Sequence, residues 1–218
     1  MRERPILFSG PMVCAILGGA KTQTRRPVKQ VPHWDHCGKD IMEWGLSDCY
    51  TDDDGRHWLD IQTDVDDNSH EEISCPYGRP GDRLWVREPG RVAARTQQYD
   101  APGLFDIQFA AGGVKHRVCL PDRLLRGGQP PSWWVAGRGI PNGIFREAAR
   151  IWLKIVSVRV ERLCDISIAD AQAEGFSGHG AIIPFIQTWE RMYGNRGLGC
   201  DVNPWLWVVE FKRAEASA

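Results

Sequence analysis

Hydrophobic residues recur along this chain with two different periods, and each period marks an element. Near the start, Ile6, Leu7 and Phe8 form a short apolar run that predicts a strand within residues 1–8. Pro11 suits the first turn of a helix, and Met12, Ala15, Ile16 and Gly19 give that helix an apolar face. Gly18 and Gly19 end it, and Pro27 breaks whatever regular structure comes next. From residue 150 the alternation is that of a strand: Ile151, Leu153 and Ile155, then Val156, Val158 and Val160. The slip by one position predicts a bulge or a turned face. Ser167, with Asp170 three residues on, predicts a capped short helix that stops at Glu174-Gly175. Ile182, Phe185, Ile186, Trp189 and Met192 at helical spacing predict a second amphipathic helix, over residues 182–193, stopped by Gly194. Pro204 to Lys212 reads as a closing strand, with Trp205 and Trp207 alternating as packing residues.

The middle of the chain has a different texture. Residues 31–74 mix Trp34, Trp44 and Trp58 with the acidic runs Asp52-Asp53-Asp54 and Asp64 to Asp67. A hairpin is expected around Asp54-Gly55, flanked by Tyr50 and by Trp58 to Ile61. Pro80-Gly81-Asp82 is a turn, after which Leu84 and Val86 alternate with Arg83, Trp85 and Arg87 as a strand. Residues 90–138 carry Gly112-Gly113, Gly127-Gly128 and Pro130-Pro131 and read as loop-rich: a lid, a binding loop or a disordered insert. The order of elements suits an α+β domain, a small β-barrel with short helices packed around it. The expected organisation is one domain over residues 1–213, with insertions at about 31–74 and 90–146, and a disordered tail at 214–218.

Composition narrows the partners. The 218 residues hold 27 Lys and Arg against 28 Asp and Glu, which argues against a global attraction to nucleic acid while leaving room for local patches. Residues 48–72 are acidic, whereas 21–29 and 117–138 are basic. The longest apolar run, residues 11–17, is far too short to span a membrane, and no signal peptide is recognisable, so a cytoplasmic protein is the default expectation. Seven cysteines, irregularly spaced and without a CxxC pair, argue against a disulfide framework. His33, His36, Cys37, Cys49 and Cys75 could bind zinc after folding but match no standard zinc spacing, so the plainer reading is ordinary polar and small buried residues of an insertion, and no cofactor is expected.

The chemistry concentrates in Ile16 to Arg26, where Gly18-Gly19 lead into Lys21, Thr22, Thr24, Arg25 and Arg26. Glycines beside cations and hydroxyls let the backbone approach a ligand, which points to a site for an anionic or nucleotide-like molecule. The plainer reading, a glycine helix cap followed by a solvated basic turn, is the commoner arrangement. Lys21 and Thr24 share a face on a helical turn and not on an extended segment. Two further places have paired readings. Trp133-Trp134, among Arg123, Arg126 and Arg138, could stack the bases of a single strand or cover the core. Arg87-Glu88 could line a cleft or form a surface salt bridge.

Taken in order, these residues resemble the ASCH family, a branch of the PUA-like superfamily. The resemblance rests on the signature Gly19-Ala-Lys21-Thr-Gln-Thr24-Arg25-Arg26, the segment Gly81-Asp82-Arg-Leu84, the long strand leading through Leu163 to a helix ending at Glu174, and the terminal strand Trp207 to Lys212. It covers about half of the chain. The whole chain also resembles proteins carried by bacteriophages and prophages, in which a segment like Cys75 to Glu88 recurs. The resemblance implies a PUA-like barrel with a cleft for a nucleoside or an RNA segment. One ASCH branch, the bacterial N4-acetylcytidine amidohydrolases, uses a Lys, a Thr and a Glu, which fall on Lys21, Thr24 and Glu174. Gly19, Thr22, Arg25, Arg26, Arg87, Glu88, Trp133 and Trp134 would then contact the substrate or RNA. Three functions follow as expectations: hydrolysis of an acylated cytidine-like base, RNA binding without catalysis, or a phage scaffold or interaction protein. In the enzyme reading, Thr24 attacks with Lys21 as base, or Thr24 positions a water that Glu174 activates as base.

Overall fold

Pro11 in the first turn and Gly18 after the last set the bounds of helix α1, Gly10–Leu17. The computed structural model describes residues 1–28, 46–62, 70–93 and 104–215. In chain order the elements are β1 (Glu3–Leu7), α1, β2 (Gln23–Pro27), β3 (Leu46–Thr51), β4 (His57–Gln62), β5 (His70–Ser74), β6 (Arg83–Arg87), β7 (Gly90–Ala93), β8 (Leu104–Phe109), β9 (Val114–Cys119), β10 (Trp152–Arg162), α2 (Ile168–Ala173), α3 (Ile182–Tyr193) and β11 (Trp205–Ala214). The fold is mixed α+β, mostly sheet with few helices, and the strand pairings of the described residues close no barrel. None of the described helices is long and apolar enough to cross a membrane. The residues divide into two compact units, Met1–Arg2 with Gly19–Asp82 and Lys154–Lys212, and Glu3–Gly18 with Arg83–Leu153 and Arg213–Ala218.

The first unit is built on β10, β11 and β2. β11 pairs antiparallel with β2, so that Val208 faces Arg25 and Val209 faces Thr24. β10 lies on the other side of β11. Its buried face includes Leu153 and Ile155, then Val158, while Val156 is half exposed, so the face turns where the sequence slips by one. Ser167 caps α2: its hydroxyl accepts from the Asp170 amide and the Asp170 carboxylate accepts from the Ser167 amide, a complete capping box. Leu163, Ile166, Ala171, Phe185, Trp189 and Leu206 form a core between these elements. A separate meander, β3-β4-β5, has the expected hairpin at Asp54-Gly55, with Tyr50 opposite Trp58. Asp52 ties that turn, accepting from the Arg56 amide and the Trp58 indole, both at 2.8 Å.

In the second unit, β1 runs parallel to β6. The buried residues of α1 are Val13 and Ile16, with Met12 and Ala15 only partly covered and Gly19 beyond the helix end. This unit also contains the sheet β7-β8-β9. Residues 90–138, expected as loop, therefore carry an antiparallel sheet over a core that includes Val92, Ile107, Phe109, Trp134 and Phe145. Gly112-Gly113, with φ of +85° and +88°, form the tight turn between β8 and β9.

Candidate active site

The motif between α1 and β2 is extended rather than helical. The Thr22 amide donates to Ala173 O at 2.8 Å, and the Phe211 amide donates to Thr22 O at 2.8 Å. Lys21 forms an antiparallel bridge with Glu174, just past α2. Side chains therefore alternate from Lys21 onward. Lys21, Gln23 and Arg25 take one face, and their side chains all reach carboxylates: Glu174 just past α2, Asp170 within it and Glu161 on β10. Thr22 and Thr24 take the opposite face. Thr22 is exposed, whereas Thr24 is fully buried and its hydroxyl has no hydrogen-bond partner.

Lys21 and Glu174 meet as a buried pair. Lys21 Nζ donates to Glu174 Oε2 and, at 2.9 Å, to the Glu174 carbonyl oxygen. The side chains are 0% and 4% exposed. Burial pulls the lysine pKa below its ordinary value; Glu174 opposes the shift, and the charges of Arg26 and Arg25 add to it. A lysine in that state gives up its proton more readily than one in water, which is what acid–base chemistry near neutrality requires.

Arg25 lies beside the pair with no side-chain exposure. Its Nη2 donates to Glu161 Oε2 at 2.7 Å and lies 3.5 Å from Asp170 Oδ2. Its Nη1 lies 3.7 Å from Glu174 Oε1, and neither of those two atoms has a hydrogen-bond partner. Arg159 binds Glu161, Glu210 and Asp170. Burial would raise the Asp170 pKa, but bonds from Ser167 and Gln23 and the Arg25 charge outweigh it and hold the carboxyl at about 2. Three cations, Lys21, Arg25 and Arg159, thus face four carboxylates, Glu161, Asp170, Glu174 and Glu210.

The other residues singled out in the sequence lie elsewhere. Gly19 is exposed at φ +77°. Arg26 donates to Arg25 O at 3.1 Å and hydrogen-bonds the Tyr77 side chain. Arg87 ends β6 with its guanidinium 6.0 Å from the Trp85 ring centroid. Glu88 is fully buried and bound through both oxygens by Arg150, so the pair is an interior one rather than a surface salt bridge. Trp134 is core, packed edge-on against Phe105, Trp133 and Phe145, and Trp133 is half-buried beside it. Cys49 is exposed and Cys75 buried, while His33, His36 and Cys37 lie outside the described residues. Among the described residues no group of three or more His, Cys, Asp or Glu could hold a metal. Sequence reasoning passed over Glu161, Asp170 and Arg159 as site residues, although the Arg159–Glu161 alternation on a strand followed by a capping aspartate is a legible sign of a charged face.

Compared with known proteins, the chain matches no family model, no curated protein and no solved structure.

Proposed function

We propose that this protein is an ASCH-type hydrolase of PUA-like fold that cleaves an N-acyl amide on a cytidine-like base. Lys21 and Glu174 are its acid–base pair. The observation that carries this reading is the pair itself: a lysine and a glutamate 153 positions apart in sequence, almost fully buried together, with the lysine pKa drawn down by burial. Buried pairs with displaced pKa values cluster at reactive sites. Amide hydrolysis needs a base to activate the nucleophile and an acid to protonate the leaving amine, and such groups together contribute about 100- to 10 000-fold.

The charge balance around the pair favours catalysis over phosphate recognition. Arg25 is already enclosed by three carboxylates, so a phosphate placed there would add negative charge where it is in excess. The stacking surface that RNA binding called for is also reduced, because Trp134 is part of the core. A substrate that is neutral at its reacting group fits such a site better. Access to the pair requires local movement of the chain, and residues 177–180, just beyond Glu174, are exposed.

The test is chromatographic. Purified protein incubated with N4-acetylcytidine should release cytidine, and the Glu174→Gln variant should not. Absence of cytidine from folded wild-type protein would remove this reading.

A further inference from the structure

The second unit carries an open pocket where β7 begins and β8 ends, lined by Pro89, Gly90, Arg91, Gln108, Phe109 and Ala110. Its volume is about 380 Å³, inside the roughly 300–1,000 Å³ range of small-molecule sites. Strand register sets the lining. Gly90 lies opposite Phe109, and Arg91 lies opposite Gln108. The first pair turns inward: Phe109 is buried, and a Cβ on Gly90 would fall 3.1 Å from Ile144 Cγ2 and 3.3 Å from Gln108 O. The second pair, one residue on, takes the opposite face and is exposed. The backbone under it is tied on both sides, the Ala110 amide donating to Pro89 O at 2.8 Å and the Ile140 amide to Gly90 O at 2.9 Å. Arg91 Nε and Nη2 both donate to Gln108 Oε1, at 2.8 and 2.6 Å. A guanidinium only donates, so this pairing fixes the amide with its oxygen on Arg91 and its NH2 directed away. It also uses only the side edge of the guanidinium. The end edge, Nη1 with the second N–H of Nη2, is left as a planar fork. Gln108 is neutral, so its bonds orient the cation without cancelling its charge. The polar groups that this pair offers to a ligand are therefore all donors.

We propose that this pocket binds a small carboxylic acid in its ionised form, with the carboxylate on the end fork of Arg91 beside the Gln108 NH2 and the apolar part against Pro89 and Ala110. Two parallel N–H donors match the two oxygens of a planar carboxylate. One cation matches its single charge, whereas a phosphate monoester carries about −1.5 to −2 near neutrality and calls for more donors than this pair supplies. A neutral amide of the same shape offers one acceptor oxygen to the fork and presents its own N–H groups to the rest of it. The inference stands apart from the amidohydrolase reading, since none of its residues belongs to the Lys21–Glu174 cluster and its test involves no turnover.

The test is a titration of the intact chain, at pH 7 and constant ionic strength, followed by amide chemical shifts in NMR. The probes are benzoate, its neutral isostere benzamide, and phenyl phosphate. Benzoate should bind saturably with a Kd of about 1 mM, the affinity expected of so small a ligand. The shifts should centre on the amides of Arg91, Gln108 and Ala110. Benzamide and phenyl phosphate should each bind at least about tenfold more weakly. This comparison is made on the wild type and so does not depend on a substitution folding. Gln108→Glu keeps the shape and the bonds from Arg91 but sets a negative charge against the guanidinium, and it should weaken benzoate at least about tenfold. Its melting temperature is recorded alongside. Four results overturn the inference: no saturable benzoate binding up to about 20 mM, twenty times the expected Kd; shifts centred elsewhere; benzamide or phenyl phosphate binding as tightly as benzoate; or a folded Gln108→Glu variant with wild-type affinity.

Discussion

Among the described residues two glutamates are buried beside an arginine, and they are finished to different degrees. Glu88, in the second unit, has no side-chain exposure and is clamped by Arg150 through two hydrogen bonds of 2.8 Å. The guanidinium lies 4.0 Å from the Phe109 ring centroid, and Gly113 leaves it room, since a Cβ there would fall 2.6 Å from Arg150 Nη1. Both oxygens are used and the fork geometry is complete. Glu174, in the first unit, has one oxygen on Lys21 and the other facing an arginine beyond hydrogen-bond range. A buried charge whose hydrogen bonds are all made is anchored and inert. A buried charge with an open lone pair carries a penalty that structure alone gives no reason to keep. The contrast is between a pair with every hydrogen bond made and a pair with one lone pair left open, and the proposed chemistry rests on the second.

Substitutions can break that contrast from either side. The largest effect is expected on turnover. Glu174→Gln should reduce kcat about 100- to 10 000-fold while the fold survives, because an amide can still accept from Lys21 and a buried lysine with a lowered pKa can sit neutral beside it. Steady-state kinetics with a melting curve checks both halves. Next in size is the structural pair. Arg150→Met keeps an apolar stem near Phe109 but leaves Glu88 buried without its cation, which should cost about 3–5 kcal/mol of stability in a denaturant titration. Activity per folded molecule should be unchanged.

A smaller effect belongs to Asp170, whose carboxyl is held at about 2 against an ordinary 3.8. A depressed folded-state pKa means that the stabilisation is full above the unfolded value. It is lost as pH falls from about 4 through about 2. Melting temperature measured across that window should drop more steeply for the wild type than for Asp170→Asn. The smallest effect is at Thr24. Its buried hydroxyl has no partner, so Thr24→Val, which keeps the shape and removes the polar atom, should stabilise the protein by about 1 kcal/mol. A lower melting temperature for Thr24→Val would show that the hydroxyl does have a partner.

Much of this architecture was legible from pattern. The proline start and glycine stop of α1, the Ser167–Asp170 capping box, the span of α3 and the face turn in β10 all follow from local rules that the tertiary structure obeys. The sheet β7-β8-β9 did not, and the reason is visible in β8. Asp106 sits in mid-strand with no exposure, where it accepts from the Arg117 amide at 3.2 Å and pairs with His116. A buried carboxylate at that position interrupts the hydrophobic alternation that identifies a strand, and the Gly112-Gly113 turn then reads as loop. β5 was missed for a related reason: His70 to Ser74 carries two glutamates and one apolar residue.

The candidate site was legible in its residue types and not in its geometry. The motif and its resemblance to the ASCH family point at Lys21, Thr24 and Glu174 together. The extended backbone brings two of them into contact and sends the third to the opposite face. Strand parity decides that, and parity depends on whether Lys21 to Thr24 is helical or extended, a choice that the pairing with Ala173 and Phe211 makes. The surroundings of Arg25 were hidden because three carboxylates from distant positions define them.

The account is tested most directly by comparing Glu174→Gln and Arg150→Met in a single experiment, with N4-acetylcytidine hydrolysis and unfolding free energy measured on both. Glu174→Gln is predicted to lose turnover and stay folded, and Arg150→Met to lose stability and keep turnover per folded molecule. If both variants lost stability alike and neither changed the rate of cytidine release, the Lys21–Glu174 pair would be a second structural ion pair and the proposed chemistry would be wrong.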